Sequence, residues 1–306
     1  MRHKCMNKNA CPVTRPVLVV NSASGSYSER AVADVRAALA GSGAVSGEGE
    51  RGEGGAGVRT FDCRLDELPG RAALDHLGAR LLAIFAGDGT ISRHFARLEA
   101  EGWDGAVLAL PGGTQNLLAT AMFGTLCAPE IAAMLARGDL VGTRRHCMRC
   151  AGHTALAEIL CGPGARWADV REDMRARDMG DAAAKSLDIT REAASGALAR
   201  LADPAAGREE GYPGLHFSLP DGAMVARGYR MENLGDWLRQ GLAMARRDFR
   251  EGPFDELGIM DRARIEAVEG STIDLMIDGE HARTGAEVRI RREPFALEIM
   301  GLGTKA

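Results

Sequence analysis

Within its first 125 residues the chain breaks off an apolar run three times at a polar turn rich in glycine or serine, and helical spacing follows at once. Val17 to Val20 gives way to Asn21-Ser22-Ala23-Ser24-Gly25-Ser26, after which Val32, Val35 and Leu39 recur at helical intervals. Leu81 to Ala86 ends in Gly87-Asp88-Gly89-Thr90, followed by Ile91, Phe95 and Leu98. Ala106 to Leu110 ends in Pro111-Gly112-Gly113-Thr114-Gln115-Asn116, followed by Leu117, Leu118 and Ala121. Strands alternating with helices predict a parallel sheet, because each crossover returns the chain to the starting edge. All three turns then lie at the carboxyl ends of parallel strands, where open α/β sheets place their ligands.

The second turn carries an aspartate between two glycines, so a buried strand delivers a carboxylate to a place where backbone can be approached closely. The following helix start adds N–H groups and partial positive charge there, which makes phosphate the first candidate ligand. Taken singly, the Asn/Ser turn could be ordinary turn chemistry and Asp88 a helix cap. Three such turns at one sheet edge favour a shared anion site. A literal GxGxxG at Gly47, Gly49 and Gly52 is rejected as a dinucleotide fingerprint, since no strand precedes it and Glu48, Glu50 and Glu53 would repel a pyrophosphate. Only four lysines occur, Lys4, Lys8, Lys185 and Lys305, which excludes a GxxxxGK loop and leaves arginine or backbone amides to hold any phosphate.

Val58 to Phe61 is read as a further strand and Leu68 to Leu77 as a helix. Residues 41–57, glycine and glutamate with little to bury, form a flexible loop in this reading, and 1–15 is expected to lack fixed structure. Beyond residue 125 the texture changes: a helix at Ile131 to Leu135, then strand-like pieces at Leu140–Thr143, Ala155–Cys161, Leu215–Leu219, Ala263–Val268, Thr272–Ile277, Val288–Ile290 and Phe295–Met300. Two helical stretches, near 168–200 and 233–247, interrupt them. Strands without intervening helices predict antiparallel sheet, hence an α/β domain over 1–130 and a β-rich domain over 131–306. Ile273, Leu275 and Ile277 run into Asp278-Gly279-Glu280, a hairpin turn that presents a carboxylate.

The 306 residues suffice for two cores, and a net charge of -4 argues against nucleic acid as partner. No apolar run reaches bilayer length and the first sixteen residues lack a signal-peptide core, so the expected location is cytoplasmic. Seven irregularly spaced cysteines read as reduced thiols, and Cys147-Met148-Arg149-Cys150 as packing residues rather than a metal pair. The 233–247 stretch, with Trp237, Leu238 and Met244 beside Arg239, Arg246 and Arg247, reads as a helix packed on its own sheet, with an anionic membrane surface as the alternative.

Taken in order, Asn21-Ser22-Ala23-Ser24-Gly25, Ala86-Gly87-Asp88-Gly89-Thr90, Pro111-Gly112-Gly113-Thr114-Gln115-Asn116 and Asp278-Gly279-Glu280 resemble the catalytic domain of the diacylglycerol kinase family, which includes sphingoid-base and ceramide kinases and soluble bacterial lipid kinases. The resemblance implies an α/β nucleotide domain with a mostly parallel sheet, a β-sandwich-like second domain, an active site in the cleft between them, and last strands that return to the first domain. It implies ATP and Mg²⁺, and a lipid substrate met peripherally at a membrane surface, with room for a homodimer. Asp88 takes the role of base or orienter for the acceptor hydroxyl, assisted by Glu280. Gly87, Gly89, Thr90, Gly112, Gly113 and Thr114 hold the triphosphate, Asn21, Ser22 and Gly25 line the same site, and Thr60, Asn116 and Asp278 join the nucleotide-binding set. No metal ligands in the protein are expected.

The sequence departs from the family pattern at Ala86, where glycine is usual, and at Leu117, where many members carry aspartate. Two rivals follow. An NAD kinase shares Gly-Asp-Gly-Thr but expects an Asn-Glu pair, and this sequence has no Asn-Glu dipeptide. A catalytically weak nucleotide- or lipid-binding regulator would be consistent with Ala86 and Leu117.

Overall fold

The computed structural model describes residues 15–42, 57–166, 197–230, 253–270 and 272–302. It divides into two compact units, Met1–Arg145 with Phe295–Ala306, and His146–Pro294.

The first unit alternates strand and helix. Its elements are β1 (Pro16–Val20), α1 (Glu29–Ser42), β2 (Arg59–Asp62), α2 (Arg71–His76), β3 (Leu81–Ala86), α3 (Asp88–Ala100), β4 (Ala106–Pro111), α4 (Leu117–Phe123) and α5 (Ala128–Ala136). The strands stand in the order β2-β1-β3-β4, every pair parallel. All of β1 and β3 and nearly all of β4 are buried, the signature of a parallel sheet covered on both faces. These are the unbroken runs Val17–Val20, Leu81–Ala86 and Ala106–Leu110; an alternating strand would leave one face wet. Ser28 starts α1 by accepting the amide of Ala31 at 3.1 Å, and α1 packs on α5.

The second unit follows as β5 (Leu140–Cys150), which begins in the first unit, β6 (His153–Ala155), β7 (Glu158–Cys161), β8 (Ala199–Asp203), β9 (Gly214–Ser218), β10 (Val225–Tyr229), β11 (Phe254–Ile259), β12 (Arg262–Ala267), β13 (Thr272–Ile277), β14 (Glu280–Gly285) and β15 (Glu287–Leu302). Six of these make an antiparallel sheet, β11-β10-β9-β7-β13-β14. Opposite it lie β8, β12 and the first half of β15, also antiparallel, with the β5–β6 hairpin. Ile159, Phe217, Leu275 and Ile277 from one layer and Met148, Leu201, Ile265 and Ile290 from the other form one core, so the unit is a β-sandwich.

Strand β15 serves both units. Glu287–Arg291 pairs antiparallel with β12, and Glu298-Ile299 pairs parallel with Ala106-Val107 of β4. The sequence reading cut this strand in two around Glu293-Pro294. Proline has no N–H for a ladder, and Pro294 falls between the stretch paired with β12 and the stretch paired with β4.

Other elements differ in extent. The strand expected at Leu140–Thr143 runs on to Cys150, carrying Cys147 and Cys150 into the core at 0% and 2% exposure. Burial pushes the Cys150 thiol up to about 12, which suits packing and not metal binding. Ala155–Cys161 is two strands, β6 and β7, with a bend between them. The helical stretch expected to reach residue 200 meets strand β8 at its end; the rest of it, the 233–247 helix and most of 1–15 and 41–57 lie outside the described residues, whereas α1 continues to Ser42. In β13, Asp274 and Met276 are buried along with Ile273, Leu275 and Ile277, so alternation fails there. Among the described residues no single helix is long and apolar enough to cross a membrane.

Candidate functional site

The three turns meet. Asn21, one residue past β1, donates its amide to the Phe85 carbonyl of β3 at 3.2 Å, and Gly112, one residue past β4, donates to the Ala86 carbonyl at 3.0 Å. The first turn closes on the third: the Ser24 hydroxyl donates to the Gly112 carbonyl at 2.7 Å, the Ser26 amide to the same oxygen at 3.2 Å, and the Ser26 hydroxyl to the Gly113 carbonyl at 3.4 Å. Adjacent parallel strands end at the same level, so their turns emerge side by side.

Inside each turn short polar side chains fix the backbone. Asn21 Oδ1 accepts the Ala23 amide at 3.0 Å, an Asx turn. Asn116 has a left-handed backbone, φ 52°, and folds back so that its amide group accepts from Gly113 N at 2.7 Å and donates to the Gly113 carbonyl at 3.0 Å. Gly112 and Gly113 are glycines because of crowding. A Cβ on Gly112 would lie 2.7 Å from the backbone nitrogen of Ala86, and one on Gly113 would lie 2.6 Å from the Cα of Gly87. A Cβ on Gly25 would meet nothing beyond its chain neighbours within 4 Å, so the first turn is open where the third is tight.

Asp88 is the first residue of α3, with Gly87 as its cap, and is 7% exposed. Its Oδ1 accepts the amide of Leu118, in the first turn of α4, at 3.2 Å. The carboxylate thus sits between two helix starts, whose partial positive charge favours an anion. Ala86 ends β3 fully buried with its backbone outside the left-handed region, and Leu117 opens α4 as a buried packing residue. Both departures are therefore accommodated by the local structure.

Thr60 is not the end of its strand. It lies opposite Leu18, its hydroxyl donates to the Val58 carbonyl at 3.3 Å, and β2 continues to Asp62. Asp62 is the residue at that strand's carboxyl end, and no glycine beside it marks it in the sequence. Its Oδ1 accepts the amides of Ser22 at 3.3 Å and Arg64 at 3.0 Å, tying the first turn to β2. Burial alone would raise its pKa, but the hydrogen bonds from Ser22 and Arg64 win and hold it below the usual carboxylate range. An aspartate closing a strand next to the glycine-rich turns was the available signal. Arg93, one helical turn after Gly89 and bonded to its carbonyl at 3.1 Å, is a second residue the reading did not single out.

In the second unit Asp278 and Gly279 are the two loop residues of the β13–β14 hairpin, both at positive φ, 45° and 83°, with Ile277 paired to Glu280. Two residues of positive φ give the mirror-image turn that matches strand twist. Asp278 is 1% exposed, and its carboxylate accepts three successive amides at the β6–β7 bend: Leu156 at 2.7 Å, Ala157 at 3.0 Å and Glu158 at 2.9 Å. Those three bonds tie the hairpin to the bend, so Asp278 shapes the hairpin. Glu280, next but one, is exposed. Beside the bend, Glu158 Oε2 meets His216 Nε2 at 3.1 Å, both nearly solvent-free.

Among the described residues no three His, Cys, Asp or Glu side chains converge as a metal cage. The donors at the joined turns, backbone amides and hydroxyls with the Asp88 carboxylate, would suit a magnesium ion that arrives on nucleotide phosphates, since Mg²⁺ keeps much of its water and needs few protein ligands.

No family model and no curated protein matches the sequence. Solved structures do match. A diacylglycerol kinase from Bacillus anthracis str. Sterne superposes with TM-score 0.59 at 12% identity, covering 94% of this chain and 96% of that one. The fold is that of the diacylglycerol kinases. Two further structures from the same organism, described as candidate diacylglycerol kinases, give TM-scores of 0.59 and 0.60 at 12% and 14% identity, each covering 95% of this chain and 98% of the other. In this diacylglycerol kinase-like fold the parallel sheet carries the three joined turns and the sandwich carries the Asp278-Gly279-Glu280 hairpin.

Proposed function

We propose that this chain is an ATP-dependent lipid kinase that transfers the γ-phosphoryl group to a hydroxyl of a diacylglycerol-like or sphingoid lipid. One observation carries the reading: the three turns are hydrogen-bonded into a single surface at the carboxyl ends of parallel strands, with Asp88 between two helix starts. Phosphoryl transfer asks a protein mainly for in-line placement and charge neutralisation, with an acceptor for the hydroxyl proton. Asp88 is that acceptor in our proposal, with its Oδ1 oriented by the Leu118 amide. Glu280 is proposed as the second acid.

Gly87, Gly89, Thr90, Gly112, Gly113 and Thr114 would hold the phosphates through amides and hydroxyls, with Asn21, Ser22 and Gly25 along the same surface. Asn116 and Asp62 act one step back, by folding those turns, and Thr60 is at most a peripheral contact. Arg93, bonded to the Gly89 carbonyl one helical turn into α3, is the proposed protein cation. Mg²⁺ on the nucleotide would supply most of the remaining charge neutralisation.

The test offers labelled ATP and a lipid extract, with NAD as a separate acceptor. Labelled phosphatidic acid or a phosphorylated sphingoid base is the expected product. Label on NAD alone would instead favour the NAD kinase reading, and ATP affinity without turnover on any acceptor a regulatory one.

A further inference from the structure

Glu280 opens β14, the edge strand of the antiparallel sheet, where only β13 pairs with it. Its turn is tied to the next strand in through Asp278. Glu158, the first residue of β7, donates its amide to Asp278 Oδ1 at 2.9 Å and accepts the Asp278 amide on its carbonyl at 3.0 Å. Both main-chain groups of Glu158 are thus given to the residue two places before Glu280. Moving Glu158 moves the turn.

The side chain of Glu158 is anchored on the far side, to β9. Ile159 and Phe217 belong to the core, so Glu158 and His216 lie on the opposite face of the sheet; His216 is across from Leu160, one diagonal from Glu158. Glu158 Oε2 meets His216 Nε2 at 3.1 Å, with both residues 2% exposed. On the same face Leu160, Met276 and Tyr229 form a small buried cluster. Arg227, across from His216 on β10, lays its guanidinium over the Phe254 ring at 4.9 Å.

Stability does not account for this pair. The cost of taking a carboxylate and an imidazole out of water is rarely offset by one hydrogen bond between them, and Glu158 Oε1 is buried with no hydrogen-bond partner among the described residues. Apolar side chains of similar size would serve packing as well or better. What the pair supplies is a directed bond from β9 to the residue that grips Asp278. We infer that Glu158 and His216 are positioning residues: they fix the start of β7, and through Asp278 they fix the turn that presents Glu280. The inference rests on the lipid kinase reading for the role of Glu280, and not for the anchoring itself.

The test replaces the pair in the full chain by Glu158→Leu with His216→Leu and follows labelled ATP into a short-chain, monomerically dissolved diacylglycerol. Melting should be unchanged or raised, as when other buried ion pairs give way to apolar side chains. KM for ATP should hold while kcat falls roughly ten-fold or more, since a small displacement of a reacting group is costly. In a Glu280→Gln background the same replacement should lower kcat no further, because both changes act through one group. Glu158→Gln, whose carboxamide can accept from or donate to the imidazole, should keep kcat within roughly three-fold. Full kcat in the leucine variant, losses that multiply with Glu280→Gln, or a loss of activity matched by a fall in melting would each overturn the inference. Hydrogen exchange reads the anchoring without catalysis: amides at 156–158 and 278–280 should exchange faster in the leucine variant than in the parent, and equal exchange would overturn it. Faster exchange there in a protein that phosphorylates no lipid would uphold the anchoring and sink the kinase reading.

Discussion

Gly113 stands so close to Gly87 that a Cβ on the first would lie 2.6 Å from the Cα of the second. Two of the three turns are thus locked by backbone-to-backbone contact, and the lock is read directly by substitution. Gly113→Ala should destabilise the protein by about 1–3 kcal/mol, the usual cost of overpacking, and should weaken ATP binding more than ten-fold. Gly25→Ala, in open space, should leave melting within a degree or two. Calorimetric ATP titration with thermal melting checks both.

Asn116 holds the third turn in shape through two hydrogen bonds to Gly113. Asn116→Ala removes both and leaves a β-carbon residue at positive φ, so a loss of about 2 kcal/mol is expected in urea unfolding.

The hairpin of the second unit separates shape from chemistry. Asp278→Ala orphans three amides, two of them buried, and should cost about 3 kcal/mol with little direct effect on nucleotide affinity. Glu280→Gln, at an exposed position, should leave stability unchanged and lower turnover. If Glu280→Gln retained full turnover, the second acid would have to be sought elsewhere.

Acid sensitivity in the first unit should trace to His94. This imidazole is 3% exposed, and burial, aided by Arg97, depresses its pKa from 6.5 to about 4. Between those values the unfolded chain binds a proton that the folded chain does not, so stability falls as pH falls from about 6.5 to 4. The loss should approach about 3 kcal/mol and then level off. Urea midpoints across that range for the parent and His94→Gln should differ in slope.

The parallel half of the fold was plain in the sequence because its strands are buried on both faces, so apolar runs and punctuating turns coincide. The joining of the turns was expected from topology; Asp62 was not, because one aspartate in Phe61-Asp62-Cys63 has no glycine neighbours to mark it. In the sandwich the pattern weakened. Edge strand β14, Glu280 to Gly285, has almost no apolar residues, and β10 and β11 mix charged residues with apolar ones. Packing residues are free to change so long as volume and patterning are kept. That is how a shared fold can coexist with 12–14% identity.

The central claim is that Asp88, at the meeting of the three turns, serves phosphoryl transfer to a lipid hydroxyl. Its most direct test follows labelled γ-phosphate into lipid with the parent and with Asp88→Asn, which retains an oxygen acceptor for Leu118 N. A fall of at least about 100-fold in turnover, with ATP affinity and melting preserved, is the predicted result. Turnover within a few-fold of the parent on every lipid the parent accepts would contradict it.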